Sequence, residues 1–474
     1  MHRPGLAGAE PAQGGLPRTL VRQDGDLMAG GAGQDVALVG AGLVGCLAAV
    51  YLARRGHRVT LYERRPDPRK STPERGRSIN LAISERGIDA LRRVGLDETV
   101  MAPALPMPGR MMHARDGSLS FQSYSADGRR AINSISRGDL NRTLLDAALD
   151  RPGVEACFEH RLTGLDVDTG RMTFDTPSGP VEKTARVIIG ADGAYSAVRL
   201  QLQFRPGFDF SQSFLDYGYK ELTIPARDGE YALDPGALHI WPRGQAMMIA
   251  LPNPDRSFTC TLFWPKSGPG SFAELDTAEK FTAFFAEHYA DAHALMPDLV
   301  DDYTHNPIGH LVTVRAKPWH VQGEEAVTGL IGDAAHAVVP FYGQGANCGF
   351  EDCVELDRCL EETGDDFPRA LATFGTRRKE HADTIAELAL ANFVEMRDKV
   401  GSRSFLLGKK IEHGLERLLP GTYESQYELI SFSTVPYAEV RTRIARQRRT
   451  VTALAIGAAT AAALTAVRAL RRRT

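Results

Sequence analysis

The sequence predicts an α/β fold with a Rossmann-like dinucleotide-binding domain, an interleaved β-sheet domain and C-terminal helices. Three observations lead to this prediction. A buried strand at 36–39 runs into a glycine turn and a helix. Two later buried strands, at 187–190 and 327–331, also end in glycine motifs. Between these two strands, residues 211–270 contain several strand-like apolar segments. Any one motif alone would be ambiguous, and their order along the chain makes them informative.

The first motif completes a βαβ unit. The apolar run 36–39 is typical of a parallel strand buried on both faces. Residues 43–55 are predicted to form a helix with small residues toward the sheet, and 59–62 the next strand.

The glycine turn of this unit has the GxGxxG spacing at Gly40, Gly42 and Gly45. Gly40 allows the tight turn, Gly42 lets a phosphate approach the backbone, and Gly45 lets helix and strand pack closely. Glu63 ends the second strand, where it can accept hydrogen bonds from ribose hydroxyls, and Arg64 follows it. A chance glycine cluster is the alternative, but the strand, helix and acid together favour a bound dinucleotide.

The second motif places an Asp-Gly pair at Asp192, with Ser196 and Arg199 beyond it, directly after a buried strand. It resembles the motif of flavin-dependent aromatic hydroxylases that lies near the groove for FAD and NADPH; an isolated Asp-Gly is usually only a turn. In the third motif, Asp333 would accept a hydrogen bond from a ribityl hydroxyl. The turn at 343–347 would direct backbone donors and a helix N-terminus toward the isoalloxazine.

The segments between the motifs complete the predicted organisation. Asp-Gly turns predict antiparallel strands over 107–124, and helices are predicted over 84–94, over 137–149 with Ser136 as N-cap, and from about 347. The predicted domains are a disordered extension (1–34), a first part of the FAD-binding domain (35–210, with substrate-domain strands near 105–135), a β-rich substrate domain (211–310), a second part of the FAD-binding domain (311–400), a helical segment (401–449) and an apolar, basic tail (450–474).

The composition is that of a soluble globular protein. Of 474 residues, 43% are hydrophobic and 24% charged, and the net charge of −3 gives no reason to expect nucleic acid as a partner. None of the six cysteines forms a CxxC and no zinc spacing appears, so we expect reduced, buried thiols in a cytoplasmic protein and no metal site. The cysteines are Cys46, Cys157, Cys260, Cys348, Cys353 and Cys359.

From Val36 to about Arg449 the chain resembles the kynurenine 3-monooxygenase family, class A FAD-dependent aromatic hydroxylases with a p-hydroxybenzoate-hydroxylase-like fold. Besides the flavin motifs, the stretches that carry the resemblance are 76–82 (GRSINLA), 108–113 (PGRMMH), 239–243 (HIWPR), 247–253 (MMIALPN) and 257–263 (SFTCTLF). The last three are far more specific than any FAD motif.

The resemblance implies a reaction and its participants. FAD stays bound, NADPH reduces it, and O2 then hydroxylates L-kynurenine to 3-hydroxy-L-kynurenine through a flavin C4a-hydroperoxide, in tryptophan and kynurenine metabolism. Because the chain has one dinucleotide-binding βαβ unit and no second such domain, we expect NADPH to dock transiently. The sequence does not settle the oligomeric state.

The resemblance also implies site residues. Arg110, Tyr124, Asn392 and Tyr427 correspond to the residues that hold the amino-acid carboxylate of kynurenine. A guanidinium fork matches a carboxylate in two hydrogen bonds, although without the family Arg110 could be a surface ion pair and both tyrosines core residues. The predicted cofactor contacts are Gly40, Gly42, Val44, Gly45, Tyr62, Glu63, Arg64, Arg65, Ala82, Arg137, Leu162, Asp192, Asp333, Ala346 and Asn347.

Two features leave alternatives open. His336 is a candidate catalytic base, but a histidine bonded locally in its loop is the favoured interpretation. Residues 450–467 are uncharged and flanked by arginines, yet rich in Ala and Thr. They could insert weakly into a membrane, lie at its surface, or form an ordinary helix or disordered tail.

Three rival functions remain at this point. The nearest is a related flavin hydroxylase acting on a phenolic acid. The others are a flavin reductase of a lipid double bond, which would consume no O2, and a non-catalytic FAD scaffold. The stretches at 239–263 disfavour all three.

Overall fold

The computed structural model describes residues 33–70, 80–125, 127–398, 414 and 423–471. The predicted extension up to residue 32, the stretch 76–79 and nearly all of 399–422 lie outside the described residues. The strands are β1 Asp35–Val39, β2 Arg58–Tyr62, β3 Leu81–Ile83, β4 Leu105–Met107, β5 Gly109–His113, β6 Leu119–Ser123, β7 Ile132–Ile135, β8 Val154–Cys157, β9 Arg161–Asp166, β10 Arg171–Thr176, β11 Gly179–Thr184, β12 Val187–Gly190, β13 Asp209–Ile224, β14 Ala237–Arg243, β15 Ala246–Pro252, β16 Phe258–Pro265, β17 Gly309–Lys317, β18 His320–Gln322 and β19 Val327–Leu330.

The helices alternate with these strands in the first half of the chain and cluster at its end. They are α1 Leu43–Arg54, α2 Glu85–Arg92, α3 Asp97–Met101, α4 Arg137–Leu149, α5 Ala197–Leu202, α6 Ala278–His288, α7 Ala290–His293, α8 Leu299–His305, α9 Asp333–His336, α10 Gly345–Thr363, α11 Phe367–Asp398, α12 Gln426–Ser431 and α13 Tyr437–Arg471, with a 3-10 turn at Pro340–Tyr342.

The first sheet has the order β18-β19-β12-β1-β2-β8, and every pair except β18–β19 is parallel. Strands β1, β12 and β19 are its centre, and their residues are almost all buried because helices cover both faces. The three predicted glycine motifs follow these three adjacent strands. The sheet therefore brings them to one edge, at the carboxyl ends of the strands.

The second sheet has the order β17-β13-β16-β15-β14-β5-β6 and is antiparallel except for the β14–β5 pair. One face packs on α6, α7 and α8, with Trp241 and Trp264 fully buried there. These helices occupy much of 278–305, in the region predicted as β-rich, and were not predicted. The opposite face points toward the first sheet, so alternate residues of each strand serve two different environments.

The predicted local elements are confirmed with small shifts at their ends. Ser136 caps α4 by accepting a hydrogen bond from the backbone N–H of Asp139, as its position before the helix predicts. The expected helix near 347 begins at Gly345. Tail residues 450–467 continue α13, and among the residues described no helix has the length and apolar character needed to cross a bilayer.

Candidate functional site

A cavity of about 920 Å³ lies between the two sheets. Its walls come from the ends of β1, β2, β12 and β19 on one side and from the second sheet on the other. All four predicted substrate residues and all but two of the predicted cofactor residues line it. The two exceptions are Gly45 and Asn347.

The glycine turn explains why Gly45 does not line the cavity. A Cβ atom on Gly45 would lie 1.9 Å from the carbonyl oxygen of Gly40, so this glycine allows the turn and α1 to touch. Gly40 has φ +106°, a conformation that side chains disfavour. A Cβ atom on Gly42, in contrast, would meet nothing within 4 Å and would point into open space. The turn thus keeps a free approach to its backbone, as a bound pyrophosphate requires.

Glu63 is buried and holds the first motif together. Its carboxylate accepts hydrogen bonds from the backbone N–H of Ala41 at 2.9 Å and from the Arg65 side chain at 2.8 Å. Burial raises the pKa of Glu63, but the bonds from Arg65 and the backbone outweigh it and leave the pKa below its usual value. The ionised carboxylate faces the cavity beside Arg64, where ribose hydroxyls could donate to it.

The Asp-Gly motif surrounds a second carboxylate. One oxygen of Asp192 accepts hydrogen bonds from the backbone N–H groups of Ala197 and Val198, at 2.6 and 3.1 Å. The other oxygen is buried and accepts no hydrogen bond of good geometry from the described residues. Burial raises the pKa of Asp192. Arg199 is also buried, but its guanidinium bonds to the carbonyls of Ala194 and Ala334 and so ties the second motif to the third.

The third motif is stabilised by a buried amide. The side chain of Asn347 donates to the carbonyl oxygens of Ala82 and Gly343 and accepts from the backbone N–H of Ser84. Its amide therefore shapes the loop rather than the cavity, and only its backbone can serve a ligand. Asp333, in contrast, is exposed and lines the cavity.

These observations fit FAD. One continuous cavity is lined by four features that suit a long dinucleotide. They are the open backbone turn at Gly42, the ionised acid after the second strand, a buried carboxylate oxygen of Asp192 without a hydrogen bond from the described residues, and the exposed Asp333.

The predicted carboxylate-binding residues all line the cavity, and three of them contact one another. The Arg110 guanidinium lies 5.2 Å from the ring centres of both Tyr124 and Tyr427, which stack on each other at 4.8 Å. The largest electrostatic influences on Arg110 from other side chains are those of three tyrosines, and no carboxylate among the described residues forms an ion pair with it. The buried Tyr124 hydroxyl makes no hydrogen bond of good geometry with the described residues. Asn392 lies nearby and donates to the carbonyl of Phe341 at 2.6 Å.

The walls that the second sheet contributes are mainly apolar and were not predicted as site residues. The cavity-facing residues of β14, β15 and β16 occur at every second position. The residues between them face helices α6, α7 and α8, and because both sets are buried, these strands look continuously hydrophobic in the sequence. The cavity set is Leu238, Ile240, Met247, Ile249, Leu251, Thr261 and Phe263, joined by Phe341 and Tyr342 from the 3-10 turn.

His336 does not line this cavity. It is buried, its Nε2 lies 2.5 Å from an Asp352 oxygen, and Trp319 stacks on its ring. Asp352 is itself bonded to Arg378 and to the backbone N–H of Gly332. The locally bonded histidine favoured from the sequence is the arrangement observed. The three-residue grouping His336, Cys348 and Asp352 has metal-ligand types, but the adjacent Arg378 cation opposes a metal ion there.

One ion pair joins the helix that carries Tyr427 to the loop between β6 and β7. Arg130 lies 2.9 Å from Glu428, the residue after Tyr427 on α12. The pair is partly exposed, so we expect Arg130→Gln to raise the KM for the aromatic substrate by only about two- to fivefold, with kcat unchanged. Steady-state kinetics would check this, with Arg358→Gln at a surface ion pair as control. No recovery in the charge-reversed Arg130→Glu/Glu428→Arg double variant would count against the ion pair.

Comparisons with known proteins agree with this geometry. A model of the "FAD binding domain" family matches residues 34–389. Kynurenine 3-monooxygenase of Myxococcus xanthus is 51% identical over 85% of this chain and 86% of its own length. The Dictyostelium discoideum enzyme of that name is 45% identical over 85% of this chain and 89% of its own.

Solved structures share the fold at low identity. Tetrameric 2-methyl-3-hydroxypyridine-5-carboxylic acid oxygenase has a TM-score of 0.63 with 21% identity, covering 79% of this chain and 96% of that one. P. aeruginosa PqsL in complex with 2-aminobenzoylacetate has a TM-score of 0.61 with 21% identity, covering 77% and 97%.

The fold, the cavity and the family match define a flavin-dependent monooxygenase that binds FAD. Within that class, the chain belongs to the kynurenine 3-monooxygenase family.

Proposed function

We propose that this enzyme hydroxylates L-kynurenine to 3-hydroxy-L-kynurenine, using bound FAD, transiently bound NADPH and O2. The observation that supports this most strongly is Arg110, a guanidinium that lines the cavity beside the apolar residues of the second sheet and has no acidic partner among its described neighbours. A cation held in this way needs an anion from outside the protein, and an amino-acid carboxylate has the matching shape.

The other substrate residues complete that carboxylate site. Tyr124, Tyr427 and Asn392 can each donate one hydrogen bond from its hydroxyl or amide, and the two tyrosine rings limit the space around the guanidinium. The apolar walls of the second sheet leave room for an aromatic ring between this anchor and the third motif. Recognition thus uses a charge at one end of the substrate and shape along the rest.

When bound, FAD is reduced by NADPH and activates O2 for transfer of one oxygen atom to an aromatic ring. The protein residues have three tasks. Gly42, Glu63, Asp192 and Asp333 hold the cofactor along the strand ends, and Arg110 fixes the substrate at a set distance from it. The apolar walls exclude water, which protects a reactive oxygen species from decay. The amino group of kynurenine already activates the ring carbon beside it, so no strong protein base is required.

The test is oxygen uptake by purified protein with NADPH and L-kynurenine, with the product identified by mass. We expect kynurenine to stimulate NADPH oxidation strongly and to gain one oxygen atom. Stimulation by salicylate with a hydroxylated product, and none by kynurenine, would instead favour the phenolic-acid alternative. Turnover of neither substrate would sink the proposal.

We also propose that residues 450–467 lie on an anionic membrane surface rather than across the bilayer. The support is chemical: an uncharged stretch of mainly Ala and Thr is flanked by arginines, which anionic headgroups attract. We expect full-length protein to sediment with anionic vesicles, and a chain ending at Arg449 to stay in the supernatant. Neutral vesicles are the control. Equal behaviour of the two chains would contradict the proposal.

A further inference from the structure

Two stretches singled out in the sequence, 108–113 and 239–243, also place polar side chains on the face of the second sheet that points away from the cavity. Arg110 pairs with Leu238 across β5 and β14, and both face the cavity. Because side chains alternate along a strand, His113 and His239 face the helices instead. Both rings are only 2% exposed. Two buried histidines therefore lie behind the substrate anchor without touching the substrate.

These histidines form a continuous hydrogen-bonded chain. His113 Nδ1 lies 2.6 Å from an Asp291 oxygen on α7, and His113 Nε2 lies 2.8 Å from His239 Nδ1. His239 Nε2 lies 2.8 Å from the backbone carbonyl of Asp234. Trp241 Nε1–H donates to the same Asp291 oxygen at 2.9 Å. The chain thus joins β5, β14 and α7.

The number of protons in this chain follows from its end groups. The Asp234 carbonyl can only accept. Burial raises the pKa of Asp291, but the hydrogen bonds from His113 and Trp241 lower the pKa by more than burial raises it. The Asp291 carboxylate is therefore ionised and can also only accept hydrogen bonds. Three hydrogen bonds between two acceptors need three ring protons. Two neutral imidazoles have two, so the pair must hold one more.

The additional proton belongs on His113. His113 bonds to the negatively charged Asp291 carboxylate, whereas His239 bonds at its far side to a neutral carbonyl, so the positive charge is more favourable on the His113 ring. Burial lowers the pKa of His239 to about 4. The Trp241 indole stacks on the His113 ring at 4.0 Å, a favourable place for a cation.

Other charged and titratable groups surround the chain. Arg243 donates to the His113 carbonyl and lies over the Tyr289 ring, and the carbonyl of His288 accepts from Arg243. Arg115 adds a further positive charge near Arg243 and Tyr289. Two carboxylates act on this group: Asp291, which bonds to His113 and Trp241, and Asp234, whose charge raises the pKa of His239 by less than burial lowers it.

We propose that His113 is a positioning residue for Arg110. Together, His113 and His239 hold one proton more than two neutral imidazole rings would hold. The resulting His113 cation bonds to both Asp291 and His239, and these bonds fix β5 against β14 and α7. The guanidinium three residues earlier on β5 is thereby held in place. The link to substrate binding rests on the proposed function; the proton count does not.

The proton count can be measured by NMR of the full-length, FAD-loaded protein with 15N-labelled histidine. His113→Gln assigns the signals. At neutral pH we expect both ring nitrogens of His113 and one of His239 to carry slowly exchanging protons. The nearly isosteric Asp291→Asn should remove one of the three. An unprotonated ring nitrogen on His113 in the wild-type protein would overturn the proposal.

The positioning role is tested by a double-mutant cycle. We expect His113→Gln to raise the KM for L-kynurenine about five- to twentyfold with kcat changed less than about twofold, because a small displacement of an anchor weakens binding geometry. In an Arg110→Ala background the same change should have no further effect. An additive effect would refute the role. Asp291→Asn repeats the cycle if His113→Gln does not fold.

A matched control is His305→Gln, since His305 also pairs with an aspartate, Asp301 at 2.9 Å, but at the surface. It should change neither kinetics nor the three protons. If the wild-type protein does not turn over kynurenine, the proposed function fails while the NMR measurement still decides the proton count.

Discussion

Replacing Arg110 by alanine should raise the KM for L-kynurenine by about one to two orders of magnitude, because the lost charge-assisted hydrogen bonds are worth about 1.5–3 kcal/mol. FAD should remain bound, since Arg110 lies on β5 of the second sheet whereas the glycine turn follows β1 of the first sheet. Steady-state kinetics with flavin absorbance as the loading control measures both.

A change of substrate sharpens this test. Wild-type protein should discriminate against the carboxamide of kynurenine by about the same one to two orders of magnitude, because the neutral amide forms no ion pair with the guanidinium. The Arg110→Ala variant should treat acid and amide nearly alike. Discrimination that survives the substitution would mean that another group reads the carboxylate, and an unchanged KM would remove Arg110 from the site.

Alanine substitutions at two glycines only three residues apart should have different effects: one should weaken FAD binding and the other should destabilise the fold. Gly42→Ala should leave the apoprotein as stable as wild type, because its Cβ atom meets nothing within 4 Å and its φ of −78° suits alanine. Affinity for FAD should fall by at least about tenfold, because the methyl group takes the space that a phosphate needs to reach the backbone.

Gly45→Ala should damage the fold itself. Its Cβ atom would stand 1.9 Å from a backbone oxygen, and relieving that clash should cost about 3 kcal/mol or more even without FAD. Thermal unfolding of the two apoproteins and FAD titration by fluorescence separate the effects. Each variant is the control for the other. Equal melting temperatures, or full FAD affinity in Gly42→Ala, would contradict the assignment of roles.

Local patterns accounted for much of the fold. The apolar runs at 36–39, 187–190 and 327–331 are confirmed as neighbouring central strands, since only residues buried on both faces are continuously apolar. The helices of 278–305 were not predicted, although Phe281, Phe284 and Phe285 of α6 have the i, i+3, i+4 spacing of an amphipathic helix. Helices α7 and α8 are too short to show a clear period.

Some residues of the site could likewise be predicted from the sequence, and others could not. Side chains in motifs of fixed spacing, such as Glu63 and Asp333, could be proposed directly, because the glycine turns constrain the chain around them. Phe341, Tyr342 and the cavity-facing half of β15 had no such signal. The actual use of Asn347, whose amide supports the Ala82 and Gly343 carbonyls, was equally hidden, because its partners are remote in sequence.

The class of fold, the glycine turns and the residue types that can bind a dinucleotide and a carboxylate could be predicted from the residues alone, because they depend on spacing and local chemistry. Three contacts became visible only in the folded chain: Arg110 lacks an acidic partner among its described neighbours, His336 bonds to Asp352 away from the cavity, and His113 contacts His239 and Asp291. Pairing between side chains far apart in the chain depends on how sheets and helices pack, and the order of residues does not record that.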